Sequence, residues 1–292
     1  MFKDGLLQGK RILISGGGTG LGRVMSEDYA RLGATVYICG RRGKVLEETA
    51  KEISDAHPGE VIARACDIRN AKAVDEMVGE IFEEGPLTGL VNNAAGNFIS
   101  RTEDLSSRGF DAIASIVFHG TFYMTHAVGR RWIEGGNKGS VISILTTWVW
   151  NGSPYVVPSA MSKSGVKAMT DSLATEWGKY GIRLNAIAPG PFPTKGAWDR
   201  LNPTEDGETE DRFATNPMGR VGEMPELANL ATFLMADGCE YLTGQTMAID
   251  GAMYQATGGN FYNLHTWTDE MWKAAREAIR GANNKDQAER TV

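Results

Sequence analysis

The sequence is poor in the residues that build disulfide frameworks and metal sites. Its 292 residues include three cysteines and four histidines. Cys39, Cys66 and Cys239 are odd in number, far apart and without CxxC spacing, which argues against a disulfide scaffold or a thiolate metal site. The sequence therefore predicts a reducing compartment and no bound metal.

Long apolar runs are absent as well. No stretch approaches the roughly 20 apolar residues that a membrane-spanning helix requires. The first ten residues, MFKDGLLQGK, contain no apolar run of the length found in signal peptides. We therefore expect a cytoplasmic protein that has no membrane partner.

The chain has no excess of positive charge. It carries 30 Lys and Arg against 36 Asp and Glu, and its formal net charge is -6. Nucleic acid and anionic membranes attract basic surfaces, so we expect neither as a partner. The contents of 42% hydrophobic and 23% charged residues are close to the globular average, and they predict a folded chain.

Short apolar runs rich in β-branched residues alternate with segments of helical length. Such runs are typical of strands buried on both faces of a sheet. The alternation predicts an α/β fold, a doubly wound parallel sheet of the Rossmann type. The strand candidates are 11–15, 35–39, 61–66, 89–93, 140–145, 183–188 and 245–250, and the helix candidates are 44–56, 70–84, 106–134, 159–180 and 225–236.

Two segments interrupt this alternation. Residues 194–224 contain the acidic run TEDGETED, and we interpret them as a lid over the substrate, with a solvated acidic loop as the alternative. Residues 257–292 follow the last strand and form a charged C-terminal extension. The composition indicates no other domain boundary, so we expect a single domain over residues 1–292.

A glycine-rich turn follows the first strand and leads into a helix. Gly16, Gly20 and Gly22 have the spacing GxxxGxG. Gly16 permits a tight turn, Gly20 lets backbone amides approach a pyrophosphate, and Gly22 lets the helix pack against the sheet. The positive end of the helix dipole then faces the phosphates. The turn predicts a dinucleotide site with contacts from Gly16, Thr19, Gly20, Leu21 and Gly22.

The second strand ends at two arginines instead of a carboxylate. An acidic residue at this point binds the 2′-hydroxyl of NAD, whereas Arg41 and Arg42 suit a 2′-phosphate through charge-assisted hydrogen bonds. The pair therefore favours NADP over NAD. The alternative is that both arginines are solvated residues of a loop.

Three further motifs follow in order, Cys66-Asp67, Asn92 to Gly96, and Pro189-Gly190 with Thr194. With GxxxGxG they make the sequence resemble the short-chain dehydrogenase/reductase family over nearly its whole length. The resemblance implies that Asp67 approaches the adenine, that the NNAAG turn flanks the adenosine and that Pro189 to Thr194 border the nicotinamide. The further cofactor-binding candidates are Asp67, Ile68, Asn93, Ala94, Ala95, Gly96, Lys163, Pro189, Gly190, Phe192 and Thr194.

A narrower resemblance is to the 2,4-dienoyl-CoA reductases, through the stretches 92–100, 156–169, 176–185 and 189–204. It implies reduction of a conjugated dienoyl thioester by NADPH in the breakdown of unsaturated fatty acids, and a homotetramer. It also implies that Arg41 and Arg69 hold the adenosine phosphate, that Phe98 and Ser106 line the acyl-CoA pocket and that Arg200 meets the CoA. The substrate-binding candidates are Arg69, Asn97, Phe98, Ser106 and Arg200.

The catalytic residues of the broad family are a serine and a YxxxK pair on one helix. Here Ser159 occupies the tyrosine position and Lys163 the lysine position. Residues four apart lie on one helical face, so Lys163 points to the same cleft as Ser159. A cation there can orient the cofactor and lower nearby pKa values. Thr146 stands at the usual serine position.

The phenol that the family uses is missing. The mitochondrial type of dienoyl-CoA reductase supplies a tyrosine from the loop after the preceding strand, and the resemblance places Trp148 at that point. The peroxisomal type uses an aspartate, and Val117 occupies that position. His119 remains as a possible acid, with a packing or interface role as the alternative, and Tyr155 is expected to line the pocket.

This gap bears on the type of reaction. Ketone reduction needs a matched acid for the alkoxide, whereas conjugate reduction leaves an enolate that needs mainly a hydrogen bond to its oxygen. We hypothesise that Trp148 and Thr146 bind the thioester oxygen. The alternative is that Trp148 and Trp150 form the apolar wall of a site for another ligand. Two rival functions follow, a reductase or dehydrogenase of another carbonyl or hydroxyl with Tyr155 or His119 as acid, and a silent NADP-binding protein.

Overall fold

The structure is a computed structural model that describes residues 1–194, 216–258, 264, 266–275 and 277–278. The chain divides into two compact units, Met1–Tyr254 and Gln255–Val292. Of the predicted lid 194–224, residues 195–215 lie outside the described residues, and so does Arg200. Most of the predicted extension 257–292 lies outside them too. The boundaries of the lid and the extension therefore stay predictions.

The first unit is built on a parallel sheet of seven strands in the order β3-β2-β1-β4-β5-β6-β7. Every neighbouring pair is parallel. The predicted doubly wound sheet is confirmed. The strands are β1 Arg11–Ser15, β2 Thr35–Gly40, β3 Val61–Ala65, β4 Gly89–Asn92, β5 Gly139–Ile144, β6 Ile182–Pro189 and β7 Thr246–Ile249.

Helices connect the strands and cover both faces of the sheet. The predicted segments 44–56, 70–84, 159–180 and 225–236 each match one helix to within three residues at each end, whereas 106–134 is divided into two α-helices with a π-helical turn between them. The α-helices are α1 Gly20–Arg31, α2 Gly43–Ala56, α3 Ala71–Glu83, α4 Ser107–Ala114, α5 Thr121–Gly135, α6 Trp148–Asn151, α7 Val157–Trp177, α8 Met224–Met235 and α9 Met253–Gly258. A π-helical turn, Ser115–Gly120, joins α4 to α5, and a 3-10 turn, Gly178–Tyr180, follows α7.

Alternate residues of the central strands enter two separate cores. Ile12 and Ile14 of β1 pack with α1, α2 and α8 on one face, whereas Leu13 packs with α3 and α5 on the other. All three side chains are fully buried. Because both faces are covered, a ligand can reach the sheet only at a strand end, and in open α/β sheets that is the carboxyl end.

The second unit is described in part. Trp267 and Trp272 meet edge to face there, with ring centroids 5.0 Å apart. Across the described part of the chain, no helix combines the length and the apolar character that crossing a membrane requires.

Candidate active site

The turn after β1 tolerates side chains at almost none of its glycine positions. Gly16 has a φ of +68° and Gly20 a φ of +55°, a region that favours glycine. A Cβ on Gly22 would lie 2.2 Å from the carbonyl oxygen of Gly16, and a Cβ on Gly17 would lie 2.5 Å from Ile38. The predicted roles of Gly16 and Gly22 agree with this geometry. Gly17 was not singled out from the sequence, because its neighbour Ile38 lies on another strand.

The turn leaves the amino end of α1 open for an anion. Thr19 is the N-cap residue, and within the described part of the chain its side chain makes no capping hydrogen bond. The first backbone N–H groups of a helix have no partner inside the helix, so those of α1 are available to phosphate oxygens. A Cβ on Gly20 would approach only Thr194, at 3.6 Å. Thr194 therefore lies beside Gly20, and the free N–H groups of α1 suit the oxygens of a pyrophosphate.

A second strand end holds this turn in place. The Ser15 hydroxyl accepts hydrogen bonds from the N–H groups of Asn93, at 3.0 Å, and Ala94, at 3.1 Å. The Asn93 side-chain amide donates to the carbonyl oxygens of Ser15, at 3.1 Å, and Gly16, at 3.2 Å. Asn93 therefore braces the glycine turn. Ser15 was missed from the sequence, since only the pairing of β1 with β4 brings the two segments together.

The adenosine end of the site carries three arginines that differ in their hydrogen-bond partners. Arg69 donates to the carboxylate of Asp67 with Nε at 2.9 and 3.0 Å and Nη2 at 2.5 Å. These hydrogen bonds lower the pKa of Asp67 below its ordinary value. Arg42 donates to the Thr19 hydroxyl at 3.3 Å, and the Arg41 and Arg42 side chains are exposed. Because Asp67 neutralises Arg69, Arg41 and Arg42 are better placed to receive a phosphate.

Several other cofactor candidates are packed into the protein near the strand ends. Ile68 is buried beneath Gly120, where a Cβ would lie 2.7 Å from its side chain. Phe192 is buried in the core and packs against Gly222. Gly190 lets β6 pass close to Asp250. The remaining candidates lie at strand ends: Ala94, Ala95 and Gly96 follow β4, and Pro189 is the last residue of β6.

Lys163 is buried in α7 at the carboxyl end of β5. Its side chain is 6% exposed, and its ammonium group donates to the carbonyl oxygen of Ile144. Burial disfavours the charged form and lowers the pKa of Lys163 to about 8. Ser159, at the position of the family's tyrosine, lies in the first turns of the same helix and is also buried.

The Thr146 hydroxyl is buried, and its Oγ1 has no hydrogen-bond partner among the described residues. Thr146 follows β5, whose pairing continues through the hydrogen bond from the Leu145 N–H to the Ile187 carbonyl oxygen, at 2.7 Å. Trp148 begins α6 just beyond it. The structure thus places Thr146, Trp148 and Lys163 at one strand end.

Tyr155 lies in the loop between α6 and α7. Its φ is +63°, a rare value for a residue with a side chain, and its carbonyl oxygen accepts the N–H of Ser100 at 2.9 Å. The side chain is 57% exposed. This hydrogen bond joins the loop after β4 to the loop before α7, and the surrounding contacts hold the strained backbone of Tyr155.

Val117 and His119, the two residues considered as the acid position and a possible acid, differ in their exposure. Val117 is fully buried, and His119 is exposed in the π-helical turn beside Phe118 and Tyr123. These rings border a groove with Gly165, which lies two residues after Lys163. Successive residues of a helix are separated by about 100°, so the groove and the cleft occupy different faces of α7. His119 therefore belongs to the groove.

The substrate candidates Ser106, Asn97 and Phe98 contact residues close to them in the chain. The Ser106 hydroxyl accepts the N–H of Gly109 at 3.1 Å and caps α4. The Asn97 side chain accepts the N–H of Phe98 at 2.9 Å. The Phe98 ring packs near Gly109.

In the described ranges, no group of three or more His, Cys, Asp or Glu could hold a metal ion.

The matches with known proteins cover nearly the whole chain. Residues 16–253 match the model of a family described as enoyl-(acyl carrier protein) reductase. A probable 2,4-dienoyl-CoA reductase of Caenorhabditis elegans is 42% identical over 294 residues, covering 99% of this chain and 95% of that protein. A probable 2,4-dienoyl-CoA reductase of Bacillus subtilis is 39% identical over 250 residues, covering 85% of this chain and 98% of that protein.

A solved structure shares the fold. The crystal structure of a short chain dehydrogenase from Bacillus anthracis is 40% identical and has a TM-score of 0.76, with 84% of this chain and 96% of that chain covered. The glycine turn, the strand order and these matches all agree. The chain belongs to the short-chain dehydrogenase/reductase family, whose members bind a nicotinamide cofactor, and it is an oxidoreductase similar to proteins named 2,4-dienoyl-CoA reductase.

Proposed function

We propose that the protein uses NADPH to reduce a conjugated 2,4-dienoyl-CoA, or a related enoyl-CoA, in the degradation of fatty acids. Two relatives named 2,4-dienoyl-CoA reductase, at 42% and 39% identity, support this substrate class. The exposed Arg41 and Arg42 beside the glycine turn support the phosphorylated cofactor over NADH. When bound, that cofactor supplies the hydride.

The unpartnered Thr146 hydroxyl carries the proposal. A buried hydroxyl without a hydrogen bond is costly, and such a group is retained where a ligand atom completes it. A thioester oxygen beside Thr146 would accept that hydrogen. The Trp148 indole N–H is a second donor at the same strand end, and indole practically never gives up its proton.

The absence of a phenol at Ser159 fits this chemistry. Conjugate reduction places negative charge on the thioester oxygen as an enolate, and two fixed donors stabilise that charge without transferring a proton. The carbon proton can then come from water. Reduction of a ketone leaves an alkoxide, which needs an acid of matched pKa.

Lys163 acts on the cofactor side of the cleft. Its hydrogen bond to the Ile144 carbonyl fixes the ammonium group at the end of β5. From there it can hold ribose hydroxyls and add positive potential near the developing enolate. Because burial already lowers its pKa to about 8, its charge is sensitive to small changes in the site.

The direct experiment offers NADPH with a 2,4-dienoyl-CoA, and in parallel with ketones and alcohols, to the purified protein. We expect loss of NADPH and of the dienoyl absorbance together, with little turnover of ketones. Turnover of ketones but not of dienoyl-CoA would overturn the proposal. Tight NADPH binding without any turnover would indicate a silent cofactor-binding protein.

Tyr155 supports a second candidate, a reductase or dehydrogenase of another carbonyl or hydroxyl. Tyr155 is exposed on a strained backbone eight residues before Lys163, in the loop between α6 and α7. In that case Tyr155→Phe should abolish turnover. Under the dienoyl-CoA proposal the same substitution should change the Michaelis constant more than kcat.

We also propose that a second copy of the chain covers the groove on α5 and α7, within a homotetramer. Phe118 is 44% and Phe122 is 48% exposed there, which is unusual for large apolar side chains. We further propose that the whole chain acts as one functional domain, with residues 194–224 as the substrate lid and 257–292 as a C-terminal extension. We also propose a cytoplasmic location. Light scattering at several concentrations tests the assembly.

A further inference from the structure

Two aromatic rings meet across the carboxyl end of β6. Trp150 belongs to α6, which follows β5, and Tyr254 belongs to α9, which follows β7. Their ring centroids are 4.5 Å apart, and the rings are inclined by 20°, so they are stacked. Because β6 lies between β5 and β7, the contact spans the end of β6. It therefore closes the cleft on the side away from the glycine turn of β1.

The position of Tyr254 is fixed by a buried carboxylate. Asp250 accepts the N–H of Ala252 at 3.0 Å and the N–H of Tyr254 at 2.8 Å. Gly251 and Ala252 both have positive φ values, +64° and +68°. Ala252 holds this conformation only because the surrounding contacts determine it. Asp250 is therefore a positioning residue for the ring of Tyr254.

Trp150 links this wall to the reactive groups. It lies in the same short helix as Trp148, just after Thr146, and it is still 38% exposed. A thioester oxygen held at Thr146 would place the rest of the acyl chain near this helix. The stacked rings offer apolar faces and no charge, so they suit methylene groups and not the phosphates of CoA.

We propose that Trp150 and Tyr254 form a wall for the apolar tail of the acyl chain and thereby set the chain-length preference. This inference rests on the proposed function, because it takes an acyl-CoA as the substrate. Each methylene that reaches the wall should tighten binding by about fourfold. Shorter chains that end before the wall should bind with an affinity independent of these two residues.

Calorimetry with unreactive ligands tests the wall separately from turnover. Butanoyl-, octanoyl- and dodecanoyl-CoA are titrated into the protein loaded with NADP⁺, for the wild type, Trp150→Ala and Trp150→Phe. We expect the gain in affinity with chain length to be lost in Trp150→Ala and largely kept in Trp150→Phe. Tyr180→Ala is the matched control, because Tyr180 is 41% exposed and lies before the amino end of β6, at the opposite edge of the sheet.

Asp250 supplies a second readout. Asp250→Ala should reduce the chain-length gain as Trp150→Ala does, and Asp250→Asn, which keeps an acceptor oxygen, should restore part of it. Purely structural damage would lower the affinity of all three ligands alike.

The outcomes separate the wall from the function. If the affinity of Trp150→Ala still rises with acyl-chain length as in the wild type, the proposal of a wall is overturned. If acyl-CoAs bind with the predicted gain but dienoyl-CoA is not reduced, the proposed function fails and the wall stands. If no acyl-CoA binds to the wild type, both fail.

Discussion

The ammonium group of Lys163 donates a hydrogen bond to the carbonyl oxygen of Ile144, so the buried cation is fixed at the end of β5. Burial lowers the pKa of Lys163 from 10.5 to about 8. We expect kcat/KM to fall as the pH rises through about 8, because the cation is then lost. In Lys163→Arg the charge persists, so the fall in kcat/KM should move to much higher pH. If kcat/KM of the variant still falls near pH 8, the titrating group is not Lys163.

The same shift affects stability. Between the folded pKa of about 8 and the unfolded value of 10.5, the unfolded chain binds more protons than the folded chain. The penalty for burying the Lys163 cation is therefore complete below pH 8 and disappears as the pH rises to 10.5. Lys163→Met should unfold at higher denaturant concentration than the wild type at pH 7, and this difference should shrink at pH 10. A difference that is constant with pH would contradict the assignment.

Thr146 and Trp148 are expected to act in the transition state. Replacing Thr146 by Val, or Trp148 by Phe, should lower kcat on a dienoyl-CoA by about 10²-fold, the loss seen when a single oxyanion donor is removed. The Michaelis constant should change little. Thr146→Ser keeps the hydroxyl and is the matched control. Unchanged turnover in Trp148→Phe would remove this role and leave Trp148 as a wall of the pocket.

The arginines after β2 should determine the choice of cofactor. Arg41 and Arg42 have exposed side chains, whereas Arg69 is engaged with Asp67. Arg42→Ala should weaken NADPH binding by about tenfold, with little effect on NADH, because a charge-assisted contact with the 2′-phosphate is lost. Arg69→Ala should affect both cofactors equally. Equal losses of NADPH and NADH affinity in Arg42→Ala would contradict the phosphate assignment, as fluorescence titration can show.

Gly22 should be essential for the shape of the cofactor turn. A Cβ at this position would lie 2.2 Å from the Gly16 carbonyl oxygen, so Gly22→Ala must displace the turn. We expect loss of cofactor binding and a lower Tm. Gly178→Ala is the control, since at Gly178 no described neighbouring atom lies within 4 Å of a Cβ and φ is −53°. Normal NADPH affinity in Gly22→Ala would show that the turn is not the binding element.

The sequence predicts the strands well because parallel strands buried on both faces are short, continuous apolar runs. Predicted strand 11–15 coincides with β1, and the other six differ from the structure by one residue at an end or at both ends. The short helix α6 was not predicted, since four residues carry no periodicity. The glycine roles followed from local chemistry, whereas the Ser15 and Asn93 clamp depends on the pairing of β1 with β4.

The catalytic side of the site was predictable in part. The spacing of Ser159 and Lys163 places both on one helix, and the structure confirms that they share α7. The unpartnered hydroxyl of Thr146 and the stacking of Trp150 on Tyr254 arise from long-range packing, which no spacing in the sequence encodes. The engagement of Arg69 by Asp67 also required the side-chain geometry.

The most direct measurement follows an isotope from cofactor to product. NADPH deuterated at the transferable position, prepared in each of its two stereochemical forms, is incubated with the protein and a 2,4-dienoyl-CoA in ordinary water, and the product is examined by mass spectrometry. One of the two forms should yield an enoyl-CoA that carries one deuterium on carbon and retains the thioester. An unlabelled product from both forms, or deuterium found only in an alcohol, would contradict hydride transfer to a conjugated thioester.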